Sequence, residues 1–295
     1  TMDHETETEV GANAKITGRT VSISAGHDDV ANLEMETAAV GMYSGTGGDT
    51  RTNITSDVKV TLKDGVSIAS TDNTKITAEN RSEKKWLDGK DRKNGISAGA
   101  SLAGGSGIVN HTSITHTTKV DMGKVTVSGN GAALTADEKA KGLTEYDKKG
   151  IAVDAHSTII SRDYNTIATG SVVGAAHVKN TTEASAHTDV TVAEGASFKA
   201  GGTEEASKEY NDRDFAANGS GSRASSYRGG SIAVGSRNDA DISSYTMVDV
   251  FGAAGYAGST NDVTYTGHAD TVFNGSAETA RGAIRTAAGR DSSGN

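Results

Sequence analysis

No proline occurs anywhere in the 295 residues of this chain. Average usage would supply roughly fifteen. Proline has no backbone N–H to give to a ladder and is excluded from central strands. A chain that is mostly continuous β-ladder is the kind that lacks it. Cysteine is absent too, so no disulfide framework or thiolate metal site is available, and packing and hydrogen bonds must hold the fold.

The side chains available for packing narrow the choice. Aromatic residues make up 4% of the chain, Trp86 is the single tryptophan, and glycine fills 37 positions. A wide core between two sheets or beneath helices needs larger side chains. A narrow core of Val, Ile and Ala suits a thin stacked coil, and abundant Ser and Thr suit strands with hydroxyls on a wet face. The net charge of −9 is the wrong sign for a phosphate backbone, so nucleic acid is not an expected partner. No apolar run reaches the roughly 18–20 residues of a membrane span, and the segment is not expected to insert into one. The opening Thr1-Met2-Asp3-His4 is no secretory leader. Glu5, Glu7 and Glu9 then alternate with Thr6 and Thr8, as expected of a strand inside a longer secreted protein.

One phrase organises the remainder. Val190–Ala200 reads V-T-V-A-E-G-A-S-F-K-A, a strand, a bend at Gly195 and a second strand. Weaker copies centre on Gly11, Gly65 and Gly123, and the apolar residue after each bend recurs seven or eight positions on, as Ile16 and Ile23 or Ile68 and Ile76. A second set of glycines, Gly41, Gly99 and Gly170, precedes Gly65, Gly123 and Gly195 by 24, 24 and 25 residues. That spacing corresponds to one coil of a three-faced β-solenoid, with each repeat holding two or three coils and an insertion. All seven glycines are then structural turn residues.

The fold class expected is all-β: a parallel β-helix, with 1–295 as a single repetitive segment and insertions near 79–94, 137–150 and 201–230. Tandem β-sandwich repeats rank second, because they need larger inter-sheet residues and turn prolines. Loops that carry charge and aromatics are where binding is expected. That singles out Lys84, Lys85 and Trp86 in the first insertion, Tyr146 in the second, and Tyr210, Phe215 and Tyr227 in the third.

The phrase at Val190–Ala200 with its copies, the V-x-I-x-A run at Val21–Ala25, and the A-V-G strands at Ala39–Gly41 and Ala233–Gly235 resemble the repeats of filamentous-haemagglutinin-type adhesins and related large bacterial exoproteins. The resemblance covers most of Thr8–Ala206. It implies a right-handed parallel β-helix, export from a Gram-negative bacterium to the cell surface or medium, and adhesion to cells or surfaces.

Signals of chemistry are weak beside this. Gly95-Ile-Ser97-Ala-Gly99 fits the nucleophile-elbow pattern, but the Gly/Ser-rich stretch after it cannot make the required helix. His111 and His116, five apart, fall on opposite faces of a strand and make no zinc pair; strand and turn histidines are expected to be exposed. Asp212 with Asp214, and Asp239 with Asp241, offer oxygen atoms to calcium without a recognised calcium loop. Six N-x-S/T sequons, at Asn53, Asn80, Asn110, Asn180, Asn218 and Asn274, are about what chance supplies. The chain therefore reads as a non-enzyme without cofactor. It is an adhesin or fibre-stalk segment that meets a host or surface glycan or protein, or alternatively a filament subunit joining its own copies end to end. A polysaccharide-active enzyme ranks last.

Overall fold

The computed structural model describes residues 1–85, 95–131, 140, 150–201, 230–279 and 284–289. Trp86, Tyr146, Tyr210, Phe215, Tyr227, Asp212, Asp214 and Asn218 lie outside them. Twelve strands are described: β1 (Met2–Val10), β2 (Lys15–Ala31), β3 (Met35–Leu62), β4 (Ser67–Lys84), β5 (Gly95–Met122), β6 (Thr126–Gly129), β7 (Ile151–Val192), β8 (Ser197–Ala200), β9 (Ile232–Phe251), β10 (Ala254–Phe273), β11 (Ser276–Thr279) and β12 (Ile284–Ala288). They form one sheet, and the ladders are parallel throughout. The antiparallel hairpins of a β-sandwich are not among them. The all-β, parallel expectation is met.

The register gives the rise from one pass of chain to the next. Val10 pairs with Leu62, 52 residues on, and Leu62 with Met122, 60 on. Met122 pairs with Val192, 70 on, and Val192 with Phe273, 81 on. One hydrogen bond repeats at this corner, from Lys63 N to Val10 O, Gly123 N to Leu62 O, Ala193 N to Met122 O and Asn274 N to Val192 O. Each repeat of the phrase is thus one pass, not two or three coils. The 24-residue spacing measures two points within a pass.

The corner explains part of the glycine pattern. Gly65 and Gly195 hold φ of 77° and 87°, and Asn13 takes the same left-handed region at φ 61°, as short polar residues can. A Cβ on Gly65 would also collide with Asn13 Oδ1. Gly11 and Gly123 lie in the corner connections without a left-handed φ. Gly41, Gly99 and Gly170 do not fit the turn expectation: they lie inside β3, β5 and β7. Nor are they equivalent to one another, since Gly41 pairs with Ser101, Gly99 with Thr169, and Gly170 with Ala100 and Phe251.

Their true setting is a fold-back within each long strand. Ile167 and Val178 belong to β7 yet pack in one apolar cluster with Ile108 and Ala176. Asn165 Nδ2 donates to Asn180 Oδ1 at 2.5 Å, and Thr182 Oγ1 to Asp163 Oδ2 at 3.0 Å. The chain therefore doubles back near Val172, where small residues let it bend. The outgoing and returning halves of each pass face each other across a thin interior. Alternation fills that interior: β7 reads buried at nearly every second residue from Ile151 to Val192. Its largest apolar group is near the corner, where Val21, Ile23, Val60, Ile68, Ile76, Val127 and Phe198 are buried together. Phe198 meets Phe273 edge-on at 5.4 Å. Each fully buried Ile or Val contributes about 1.5–3 kcal/mol, so a narrow core of many such residues replaces a wide core of aromatics.

Candidate functional site

Between its apolar groups the interior carries polar layers. The most charged is built on Lys84, which the sequence places among exposed binding residues. Lys84 instead ends β4 with 0% exposure. Its ammonium lies 2.5 Å from Asp163 Oδ1, 2.5 Å from Thr112 Oγ1 and 3.5 Å from Asn110 Oδ1. Asp163 also accepts from Asn110 Nδ2 at 2.9 Å and Thr182 Oγ1 at 3.0 Å. The side chain faces inward because strand alternation carries it there, and the desolvated charge is tolerated because every donor has an acceptor. Glu79–Lys84 of the first expected insertion is accordingly strand. Lys85 follows the strand and is half-exposed.

A second layer holds His116, which is buried rather than exposed. Ser157 Oγ lies 2.8 Å from its Nδ1 and Ser82 Oγ 2.7 Å from its Nε2. Burial lowers its pKa to about 4, against the opposing charge of Asp29. Asn80, Asn110 and Asn180 are also interior, 1%, 1% and 0% exposed, so those three sequons are closed to a glycan in the folded chain. Ser97 is buried in β5 with its hydroxyl 2.7 Å from Thr46 Oγ1; its partner is a hydroxyl, not a base. Asp239 and Asp241 are engaged by His156 Nε2 at 2.7 Å and Arg162 Nη2 at 2.8 Å.

Two features face outward. At the fold-back, Val40, Ala100, Gly170 and Phe251 stand in one register column. Val40 is 86% and Phe251 66% exposed, and between these two large ends the small residues leave an open apolar groove of about 230 Å³. The second feature is a corner. Ser70, Gly129 and Ala200 are equivalent by register, as are Thr74, Ile151 and Ile232. The chain joins them through 71–73 in one pass, 130–150 in the next and 201–231 in the third. Two of the three expected insertions thus leave the sheet at one place, and the one at 86–94 leaves elsewhere, beyond the end of β4.

Among the described residues, two groups of metal-type donors were missed by the sequence reading. His4, His27 and Asp29 present donor atoms within 4.8 Å of one another, as do His187, Asp189 and His268. The signal available was His-x-Asp, written three times at His27–Asp29, His187–Asp189 and His268–Asp270. Residues two apart share a strand face, so each pair is side by side. The third donor comes from another strand and leaves no mark in local spacing.

Comparison with known families, curated proteins and solved structures finds no match to this chain.

Proposed function

We propose that the chain is a segment of an extracellular bacterial adhesin or fibre stalk, wound as a right-handed β-solenoid and attaching through the connections that carry its insertions. The observation that carries this reading is where length is added. From pass to pass the offset grows from 52 to 81 residues while the ladders keep their register, so variation is confined to connections on a constant scaffold. That division is how repeat proteins carry binding surfaces. The resemblance of Val190–Ala200 and its copies to haemagglutinin-type repeats supports the handedness, the export from a Gram-negative cell and the adhesive role. The exposed groove at Phe251 and the tyrosines of 202–229 favour contact with a glycan or protein surface.

The test is binding of the purified chain to glycan arrays and to cultured cells. It is compared with a chain in which 201–231 is replaced by the 71–73 connection, and with one lacking 86–94. Loss of binding in either shortened chain is expected. Undiminished binding in both would overturn attachment through the connections.

A filament subunit is the second reading, favoured by one observation. β10 pairs with β7 and with no other described strand, which leaves Ala254–Phe273 as an edge able to template another chain. Electron microscopy separates the two: rods of one length speak for the stalk, and fibres that lengthen with concentration for the filament.

A further inference from the structure

His4, His27 and Asp29 occupy the same interior layer as His116. By register His4 shares its column with Ser56 and His116, His27 with Asn80 and Ser157, and Asp29 with Ser82. Where the imidazole of His116 is met by two serine hydroxyls, that of His4 is met by a second imidazole and a carboxylate. The same cage has exchanged hydroxyls for the donors that bind transition metals.

The geometry is that of converging ligands rather than of a closed hydrogen-bond pair. His27 Nε2 lies 2.7 Å from Asp29 Oδ2, and His4 Nε2 lies 3.5 Å from Asp29 Oδ1. The two rings are 4.5 Å apart, tilted by 32°. Yet His27 Nε2 and Asp29 Oδ2 are both buried and neither has an aligned hydrogen-bond partner. Buried polar atoms left in that condition cost free energy and ask for a missing partner, a water or an ion. Zinc takes imidazole nitrogen and carboxylate oxygen at about 2.0–2.2 Å, so donors around one ion lie a little over 3 Å apart. The observed donor separations, 2.7 and 3.5 Å with all three atoms within 4.8 Å of one another, lie on either side of that spacing.

The exterior group is a poorer candidate on the same criteria. His187 Nε2 and His268 Nε2 are each 2.8 Å from the aspartate of their own strand, and Lys119 Nζ lies 3.4 Å from Asp189. That ammonium already supplies the positive charge an ion would bring. At His4 the carboxylate is met by imidazoles, which can ligate when neutral.

We propose that His4, His27 and Asp29 form a site for a divalent transition metal of the Zn²⁺ class, with two imidazoles and one carboxylate as protein ligands. The half-exposed side of His4 leaves room for water in the remaining position, as in zinc sites with three protein ligands. β1 and β2 carry these residues on facing sides of the interior and are not paired with each other. The ion would therefore tie the returning strand of one pass to the outgoing strand of the next. Binding to the folded state alone raises stability as the metal concentration exceeds its dissociation constant.

The experiment uses the full chain, stripped with chelator and carrying His268→Ala so that the exterior group does not contribute. Zn²⁺ is followed by calorimetry and Co²⁺ by its visible absorption. One ion per chain is expected, with a rise in melting temperature. His4→Gln, His27→Gln and Asp29→Asn should each weaken binding by more than about tenfold and abolish the rise, while His116→Gln should leave both unchanged. His4 is the most exposed of the three, so its variant reports even if the others fold poorly. Absence of binding in the parent, or binding of equal strength in the His4 and Asp29 variants, would overturn the site and leave a metal-free imidazole–carboxylate cluster.

Discussion

The Lys84 ammonium shows how a charged residue in a thin sheet protein becomes structural. Removing one partner of a buried ion pair leaves the other charge unpaired and costs about 3–5 kcal/mol. Lys84→Met should therefore destabilise by that amount in urea unfolding. Lys84→Met with Asp163→Asn should be less destabilised than Lys84→Met alone. With the amide oxygen in the place of Oδ1 it still accepts from Asn110 Nδ2, its NH2 in the place of Oδ2 donates to the Thr182 hydroxyl, which can accept, and no charge is stranded. A double variant that is as unstable as the sum of the single changes would show that the pair is uncoupled. His116 gives a prediction in pH. Its folded pKa, about 4, lies below the ordinary 6.5, so between those values the unfolded chain binds the extra proton and stability rises with pH. The contribution is complete above about pH 6.5, is lost as pH falls toward 4, and amounts to roughly 3 kcal/mol. His116→Gln should flatten that part of the pH profile, and an unchanged slope would assign it to other groups.

At the scale of elements, the corner at Val10–Lys15 and its four copies stay short, with two to four connecting residues, and what lies between Ser70-type and Thr74-type positions is variable. The passes using 130–150 and 201–231 keep the same ladder partners as the pass that uses 71–73. Loop length changes closure entropy only slowly, by about 0.6 kcal/mol per doubling. Replacing 201–231 by the residues of 71–73 should therefore leave the β-sheet circular dichroism unchanged and the melting temperature the same or slightly higher. Collapse of the signal would mean that the long connection is part of the scaffold. The corner was legible in sequence, because Gly195 with alternation on both sides has one common reading and Gly65 repeats it. The fold-back near Val172 was not. Alternation passes through it without a break, and only its small residues differ, which made Gly41, Gly99 and Gly170 look like the corners of a shorter coil. Lys84 was misplaced for a related reason. Its neighbours are charged, while the partner that decides its burial, Asp163, is 79 residues away. His4 and His27 were missed likewise, since facing strands of successive passes bring them together.

At the scale of the whole molecule, the strands of each pass pair, among the described residues, only with those of the passes next to it, so stability is expected to vary along the stack rather than to be uniform. β7 is the most enclosed strand. Its first half pairs with β4 on one side and β9 on the other, and its second half with β5 and β10. β1 pairs only with β3, and β10 only with β7, among the described residues. In a parallel ladder the amides of a strand divide between its two neighbours, so a strand with one neighbour leaves about half its amides free of the ladder. Hydrogen exchange should thus be slowest in β7 and β5. In β1 and β10 even the bonded amides should exchange on the order of a hundredfold faster, by opening of the outer pass alone. Destabilising an outer strand with Val21→Asp should speed exchange in β2 and leave β7 nearly unchanged. Uniform protection from β1 to β10, moving together in the variant, would show a single cooperative unit and contradict pass-by-pass stacking.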